Sequence, residues 1–334
     1  MSSNGQLAIV IPAFRGRFLH EALSSLANQT DQRFNVYVGD DASNDDLEGI
    51  VTPFRKSLRL HYHRFPDNLG ATDLMGQWQR CIALTTGEPW LWIFSDDDEA
   101  SSQCVEGFHE VLSKEKEPSI DVIGFNLEFI DESGAHHHQP APHPVFENAS
   151  SLFRSMLTSR SRKWRMPDHV FARAAYERNG GFVRFPMAIY TDCASWLSSA
   201  KRGGVRMAPN GVVRWRSYAE GTSSGQLMKH RASFLEGLIQ YMYWLCDYAN
   251  QCGGCAPKTF RQKGPGFFHR ELRLFSPPPD ADERKLIVAT TANLWGQHRI
   301  VSHGRLWGAA IRAKARHWPL LQTLARWRLQ NYLR

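Results

Sequence analysis

At 334 residues the chain has room for one large folded domain and an appendage, and 42% hydrophobic with 12% aromatic residues excludes a disordered chain. The formal net charge is +7, yet residues 284–334 hold ten Lys/Arg and no acid, leaving 30 bases against 33 acids in residues 1–283. A body with net charge −3 excludes a nucleic-acid binder with a basic main face and confines the positive excess to a local patch in the tail.

Residues 7–12 (Leu-Ala-Ile-Val-Ile-Pro) form a short apolar strand stopped by proline, and Ala13 to Arg17 follow as a loop. Phe18, Leu19, Ala22, Leu23 and Leu26 recur with helical period up to Gln29. A second strand over 34–39 ends in Asp40-Asp41-Ala42-Ser43-Asn44-Asp45, which is turn chemistry by default. A weak helix over 46–56 and a third strand over 58–63 lead to Asp67-Asn68-Leu69-Gly70, and another helix covers 72–84. Strands alternating with helices predict a parallel sheet of βαβ units, which binds ligands beyond the carboxyl ends of its strands.

The fourth strand starts at Trp90 and runs straight into Asp96-Asp97-Asp98-Glu99. Acids packed this closely repel, so solvent, a helix N-terminus or a bound cation must offset the cost. Two readings stay open on this stretch alone: a cap and turn before a helix opened by Ser101-Ser102, and a metal site. The acid run, the loop after the first strand and the acidic turn after the second share one sheet edge. That convergence favours a site.

A helix over 103–113 and a long strand over 121–130 follow, with Asp131-Glu132-Ser133-Gly134 as a hairpin turn. His136-His137-His138 and His143 lie among prolines and read as an exposed loop. Residues 170–173 form a short strand before a helix to about Arg178, and Gly180-Gly181-Phe182 makes a tight turn. Asp192 falls in the first turn of the next helix, where an acid also suits the helix dipole. Residues 205–216 suggest a closing strand or hairpin, and 219–225 a polar, glycine-bounded loop. A long helix over 227–250 is apolar on much of its girth and is expected to pack on the body or on a second chain. Phe267-Phe268 and the prolines at 277–279 mark a connector, and Asp280 or Asp282 caps a last helix. The six cysteines read as free thiols, with Cys252-Gly-Gly-Cys255 a weak zinc signal for want of a second pair.

The order of these pieces resembles the family 2 glycosyltransferases of GT-A fold over about residues 6–225. The matching pieces are residues 8–14, 34–43, 67–70, 94–98, 171–182, Thr191-Asp192 and Trp215-Arg216. The resemblance implies a Rossmann-like α/β domain over 1–226, followed by a helical extension over 227–334. It implies metal-dependent, inverting transfer of a sugar from a nucleotide-diphosphate donor, with Mg²⁺ or Mn²⁺. Asp98 and Asp96 would ligate the metal, with Asp96 and Asp97 also near the donor ribose. Asp40 would accept from a base ring N–H, favouring UDP, while Pro12, Phe14 and Asn68 shape the nucleotide pocket. Asp192 would be the catalytic base, with Asp168 in reserve. Thr191 replaces the acid that often precedes the base. Trp215-Arg216-Ser217-Tyr218 departs from the family's Tyr-Arg-x-His.

The expected acceptor is a saccharide or lipid-linked saccharide of cell-surface polysaccharide synthesis, with no nucleic-acid partner. The start of the chain lacks the pattern of a signal peptide, so a cytoplasmic location is expected. Residues 304–334 interleave Trp and Leu with Arg and Lys, which suits either an anionic membrane surface on the inner face or packing on a protein partner. Competing classes are a nucleotidyltransferase, for which Pro12 to Gly16 is a poor phosphate loop, and a noncatalytic saccharide-binding module.

Overall fold

A computed structural model describes residues 6–114, 120–218, 230–275 and 278–296. The chain divides into two units, residues 1–227 and 228–334. Among the described residues of the first lie β1 (Leu7–Ala13), β2 (Phe34–Asp40), β3 (Leu60–Arg64), β4 (Trp90–Ile93), β5 (Glu99–Ala100), β6 (Val122–Ile130), β7 (His136–His138), β8 (Phe146–Glu147), β9 (His169–Ala172) and β10 (Val205–Arg216). They form one sheet in the order β3-β2-β1-β4-β9-β6-β10-β5, with β7 on β6 and β8 on β10.

β3, β2, β1 and β4 are mutually parallel, as the alternation of strands and helices predicts. β1 is buried along nearly its whole length, because helices cover both faces of a central parallel strand. β6 and β10 pair in parallel, and β9 lies antiparallel between β4 and β6. A strand of reversed direction enters where its neighbours end. The residue before it, Asp168, therefore stands at the same edge as the acid run after β4.

The flanking helices are α1 (Leu19–Ala27), α2 (Leu47–Val51), α3 (Leu74–Ile82), α4 (Cys104–Lys114), α5 (Ala149–Thr158), α6 (Arg173–Arg178) and α7 (Thr191–Ser199). Side-chain caps start three of them: Asp46 accepts from Gly49, Asp73 from Gly76 and Asn148 from Ser151. Gly107 lets α4 lie on β10, since a Cβ there would stand 2.4 Å from the Pro209 carbonyl oxygen. Leu23, Leu26, Ile9, Ile11, Trp92, Phe94, Phe108 and Phe125 share the main core.

One open alternative is decided and one local expectation changes. Residues 205–216 are one strand, not a hairpin, with a register shift between Met207 and Val212 that Asn210 accommodates at φ +60°. His136 to His138 form an exposed strand in a hairpin with β6 instead of a loop, and Asp131 ties its turn by accepting from Ser133 and Ala135.

The second unit holds α8 (Arg231–Cys252), α9 (Ala256–Leu272) and α10 (Ala281–Trp295). Phe267-Phe268 belong to α9 and not to a connector. Phe260, Gly264, Phe267, Phe268 and Leu272 are buried at helical spacing, a period that Pro265 masks in the sequence. The apolar girth of α8, including Phe234, Leu238, Met242 and Leu245, is buried within the single chain. Asp280 caps α10 in a capping box with Glu283, and Arg231 pairs with Glu283 at 2.7 Å. Cys252 and Cys255 are exposed free thiols. No described helix is long and apolar enough to cross a membrane. The loop expected at 219–225 and the basic tail at 304–334 lie outside the described residues.

Candidate active site

The site begins where β4 ends. Asp96 Oδ2 accepts the backbone N–H of Phe14 at 2.9 Å and of Arg15 at 3.1 Å. The first acid of the run thus fixes the loop after β1, leaving Phe14 37% exposed beside it with Pro12 partly buried at the end of β1. An exposed phenyl ring at a polar edge is suited to stack on a planar ligand.

The second acid, Asp97, accepts the Tyr218 hydroxyl at 2.9 Å. The third, Asp98, is 1% exposed, and its Oδ1 accepts the Arg216 backbone N–H at 2.8 Å. Asp98 Oδ2 is buried without any hydrogen-bond partner. A buried carboxylate oxygen without a partner is costly and calls for an explanation.

The electrostatics agree. Burial pushes the Asp96 carboxyl up against the backbone N–H groups that hold it. Burial and then the Asp96 charge push Asp97 up to about 7. Burial and the Asp97 charge hold Asp98 well above the carboxylate range. The Arg15 and Arg216 charges offset only part of this. Among the described residues no group of three His, Cys, Asp or Glu could cage a metal ion. One or two carboxylates with an open oxygen fit a hard divalent cation that takes its remaining ligands from substrate phosphates and water. Asp98 and Asp96 have the chemistry for that role.

Arg216 was visible in the sequence only as a motif fragment, yet it organises the edge. Its side chain is 2% exposed, donates to the Asp97 carbonyl at 2.9 Å and to Glu99 Oε1 at 2.5 Å, and lies 4.4 Å from the Phe18 ring centroid. Glu99, paired in this way, faces Arg216. Tyr218 stands where the family motif has histidine and contributes its hydroxyl to the acid run.

On the β2 side, Asp40 is fully buried. Its Oδ1 accepts Ser43 N–H at 2.8 Å, and its Oδ2 accepts Tyr62 O–H and Arg64 Nη1, each at 2.6 Å. The Tyr62 hydroxyl is pushed up to about 12 by burial and the adjacent carboxylate. Asp41, which sequence reasoning passed over, accepts Leu69 N–H at 2.9 Å and Gly70 N–H at 2.8 Å, drawing the loop after β3 to this edge. The Asp40-Asp41 pair was the available signal, and only its first member was singled out. Asn68 is exposed and accepts Ala71 N–H at 3.0 Å in a local turn. Arg17, in the loop after β1, pairs with Glu132 at 2.6 Å.

The segment before α7 is strained: Met187, Ala188 and Tyr190 have φ of +55°, +55° and +59°. It delivers Asp192 to the first turn of α7, partly exposed, with Oδ1 accepting Cys193 N–H at 2.7 Å. Burial raises the Asp192 carboxyl above its usual range, against the Cys193 N–H bond and the Arg165 charge, which lower it. Asp168 is 0% exposed, hydrogen-bonded to His169 Nδ1 and accepting Arg165 N–H at 3.2 Å. Thr191 is also 0% exposed, with its hydroxyl on Met75 Sδ at 3.4 Å, so an ionised acid there would be buried against a thioether.

Comparisons with known proteins identify the fold and the family. The fold is shared with S. aureus TarS 1-349, solved in complex with UDP-GlcNAc: 16% identity, TM-score 0.62, covering 86% of this chain and 80% of that one. The same TarS fragment in complex with UDP matches at 15% identity and TM-score 0.59, covering 86% and 79% of the two chains. The mannosyltransferase PcManGT from Pyrobaculum calidifontis, solved with GDP-Man and Mn2+, matches at 15% identity and TM-score 0.50, covering 96% and 84%. No curated protein sequence matches significantly. The family model described as Glycosyl transferase family 2 matches residues 8–180, from β1 through α6 and the turn that follows. The chain belongs to glycosyl transferase family 2, with the GT-A fold.

Proposed function

We propose that the chain is a metal-dependent, inverting glycosyltransferase that takes a sugar from a nucleoside-diphosphate donor, UDP by preference. The acceptor is a saccharide or lipid-linked saccharide of cell-surface polysaccharide synthesis. One observation carries the reading: the buried, unpartnered Oδ2 of Asp98, in an acid run tied to the exposed Phe14 ring through Asp96. That the structural relatives were solved with UDP-GlcNAc, UDP, and GDP-Man with Mn2+ supports the same reading.

Asp98 and Asp96 would hold Mg²⁺ or Mn²⁺, which when bound offsets the charge that develops on the departing diphosphate. Asp96 holds the loop after β1 so that Pro12 and Phe14 present one wall to the base. Asp40 orders the opposite wall through Tyr62 and Arg64, and reads a base N–H only by giving up one of those donors. Asn68 and Asp97 lie at the nucleotide side. Asp192 takes the proton from the acceptor hydroxyl as it attacks the anomeric carbon from the face opposite the leaving group. The basic tail gives a peripheral hold on the inner face of the cytoplasmic membrane, and replacing Arg312, Lys314, Arg316, Arg326 and Arg328 together should release the protein from anionic liposomes. Unchanged binding to those liposomes would remove the membrane role.

The deciding measurement is thermal unfolding with a panel of UDP- and GDP-sugars, with and without Mn²⁺. A donor present at 100 times its dissociation constant stabilises by about 2.7 kcal/mol, which is readily seen. One donor should stabilise the protein only with metal, and Asp98→Ala should abolish that response. Silence across the panel would favour a noncatalytic saccharide-binding module.

A further inference from the structure

Arg64 is the last residue of β3 and the cross-strand partner of Asp40 in the β2–β3 ladder. It pairs with a carboxylate that is fully buried, while its own side chain stays 50% exposed at the site edge. Its Nη1 donates to Asp40 Oδ2 at 2.6 Å and its Nη2 to the Ser43 carbonyl at 2.7 Å. The Ser43 hydroxyl in turn donates to the Phe14 carbonyl at 2.6 Å, and the Phe14 N–H is held by Asp96. One hydrogen-bonded chain, Asp96–Phe14–Ser43–Arg64, therefore runs along the edge from the acid run to the guanidinium. The residue with the exposed ring, Phe14, lies within it.

We propose that Arg64 is the specificity-determining residue for the donor base, donating to the keto oxygen that uracil carries at O4 and guanine at O6. The inference rests on a nucleoside diphosphate lying along this edge. Asp40 is fully buried and accepts from Ser43, Tyr62 and Arg64, so an incoming base meets the guanidinium first. A guanidinium has five N–H donors, and the bonds to Asp40 and Ser43 take two of them. A group that only donates accepts a carbonyl and rejects an amino group at the same ring position, where two donors would face each other unpaired. Uracil is thereby chosen over cytosine, and guanine over adenine. The other use of this guanidinium, as a clamp on the donor diphosphate, fails on two counts. Asp40 already balances the Arg64 charge. The sheet order β3-β2-β1-β4 also puts three strand spacings, about 14 Å, between Arg64 and the strand that ends in the acid run. Base and diphosphate are opposite ends of the donor, and Arg64 stands at the end away from Asp98.

The test is calorimetric titration of the full-length protein with UDP, CDP, GDP and ADP, each with Mn²⁺. Wild type should bind one keto-base nucleotide at least about tenfold tighter than its amino counterpart, and the pair that shows this, UDP over CDP or GDP over ADP, identifies the base. In Arg64→Met the keto-base affinity should fall about tenfold while that of the amino counterpart changes by less than about twofold, so the ratio collapses. If Arg64→Met loses its native circular dichroism, Arg64→Gln replaces it, keeping a donor for Asp40 on a shorter side chain, with the same collapse expected. Equal affinities within both pairs, or an unmoved ratio in a folded variant, overturn the inference and leave the donor reading standing. A UDP affinity that rises in Arg64→Met also overturns it, showing Arg64 to be a plug over an Asp40 that reads the base itself. Wild type that binds none of the four overturns the donor reading, and this inference with it.

Discussion

Asp96 closes the loop after β1 onto the end of β4 by accepting two successive backbone N–H groups, those of Phe14 and Arg15. A carboxylate with this duty cannot be replaced by a side chain that merely fits. Asp96→Ala leaves two N–H groups without their acceptor, a loss of about 2 kcal/mol, and lets the Phe14 wall move. Equilibrium urea unfolding should show the lost stability, and donor affinity should weaken by about tenfold or more. Unchanged donor affinity would separate this loop from the nucleotide site.

Asp98 is placed at a cost to stability. Its buried Oδ2 has no partner, and its neighbours Asp96 and Asp97 repel it. Asp98→Asn makes permanent the uncharged state that burial and the Asp97 charge already favour, and supplies an N–H₂ that the adjacent carboxylates can accept. The metal-free variant should therefore unfold a few degrees above wild type, a gain of about 1 kcal/mol. Mn²⁺ with donor should no longer raise its melting temperature. A variant less stable than wild type without metal would show the lone oxygen to be better solvated than its burial implies.

The sheet was legible from the sequence because its signals are local: apolar runs of strand length, each ended by a loop at one edge, with β1 and β4 showing them most clearly. The acid run could be placed at that edge for the same reason. What escaped depended on contacts distant in sequence. Arg216 reaches Asp97, Glu99 and the turn after β6 across more than eighty residues, and no periodicity announces it. Asp41 differs from Asp40 in the loop it holds and in pairing with Arg80, a distinction visible once Leu69 and Gly70 are seen to fold back on it. Asp168 was singled out as the reserve base, but its place at this edge follows only from the reversed direction of β9, since sequence alone does not tell a parallel strand from an antiparallel one in a short apolar run. The α9 helix was missed because Phe267-Phe268 were assigned to a connector, although Phe260, Phe267 and Phe268 keep the helical period around Pro265.

Glu88 anchors the far side of the sheet and makes stability sensitive to acid. It is 4% exposed and accepts Asn35 Nδ2 at 2.7 Å, Tyr37 O–H at 2.5 Å and Thr86 N–H at 3.0 Å. Burial acts to raise its carboxyl, and the bonds from Asn35, Tyr37 and Thr86 outweigh it, leaving the folded pKa below the usual 4.5. A depressed carboxyl contributes stability that is complete above the unfolded pKa and is lost as pH falls through the folded one. Glu88→Gln should thus cost about 2 kcal/mol at pH 7, and the gap to wild type should narrow below about pH 4.5. Urea unfolding of both proteins at pH 7 and pH 3.5 measures it, and a gap that does not depend on pH would assign the loss to packing.

Tyr218 replaces a histidine of the family motif, and its hydroxyl on Asp97 sets what each substitution does. Tyr218→Phe leaves Asp97 without its donor beside Asp96 and Asp98. Loss of a hydrogen bond to a charged group costs about 1.5 kcal/mol, and metal-dependent donor affinity should fall by about tenfold. The ring also packs edge-on against Phe18 at 5.1 Å, a contact that phenylalanine retains, so most of the fold's stability should survive. Tyr218→His instead places an imidazole nitrogen beside the acid run. Imidazole favours Mn²⁺ over Mg²⁺, so the ratio of donor affinities measured with the two ions should move toward manganese. Calorimetric titration of the donor against each variant with each metal reads both effects. An unchanged Mn²⁺-to-Mg²⁺ ratio in Tyr218→His would place residue 218 outside the reach of the metal.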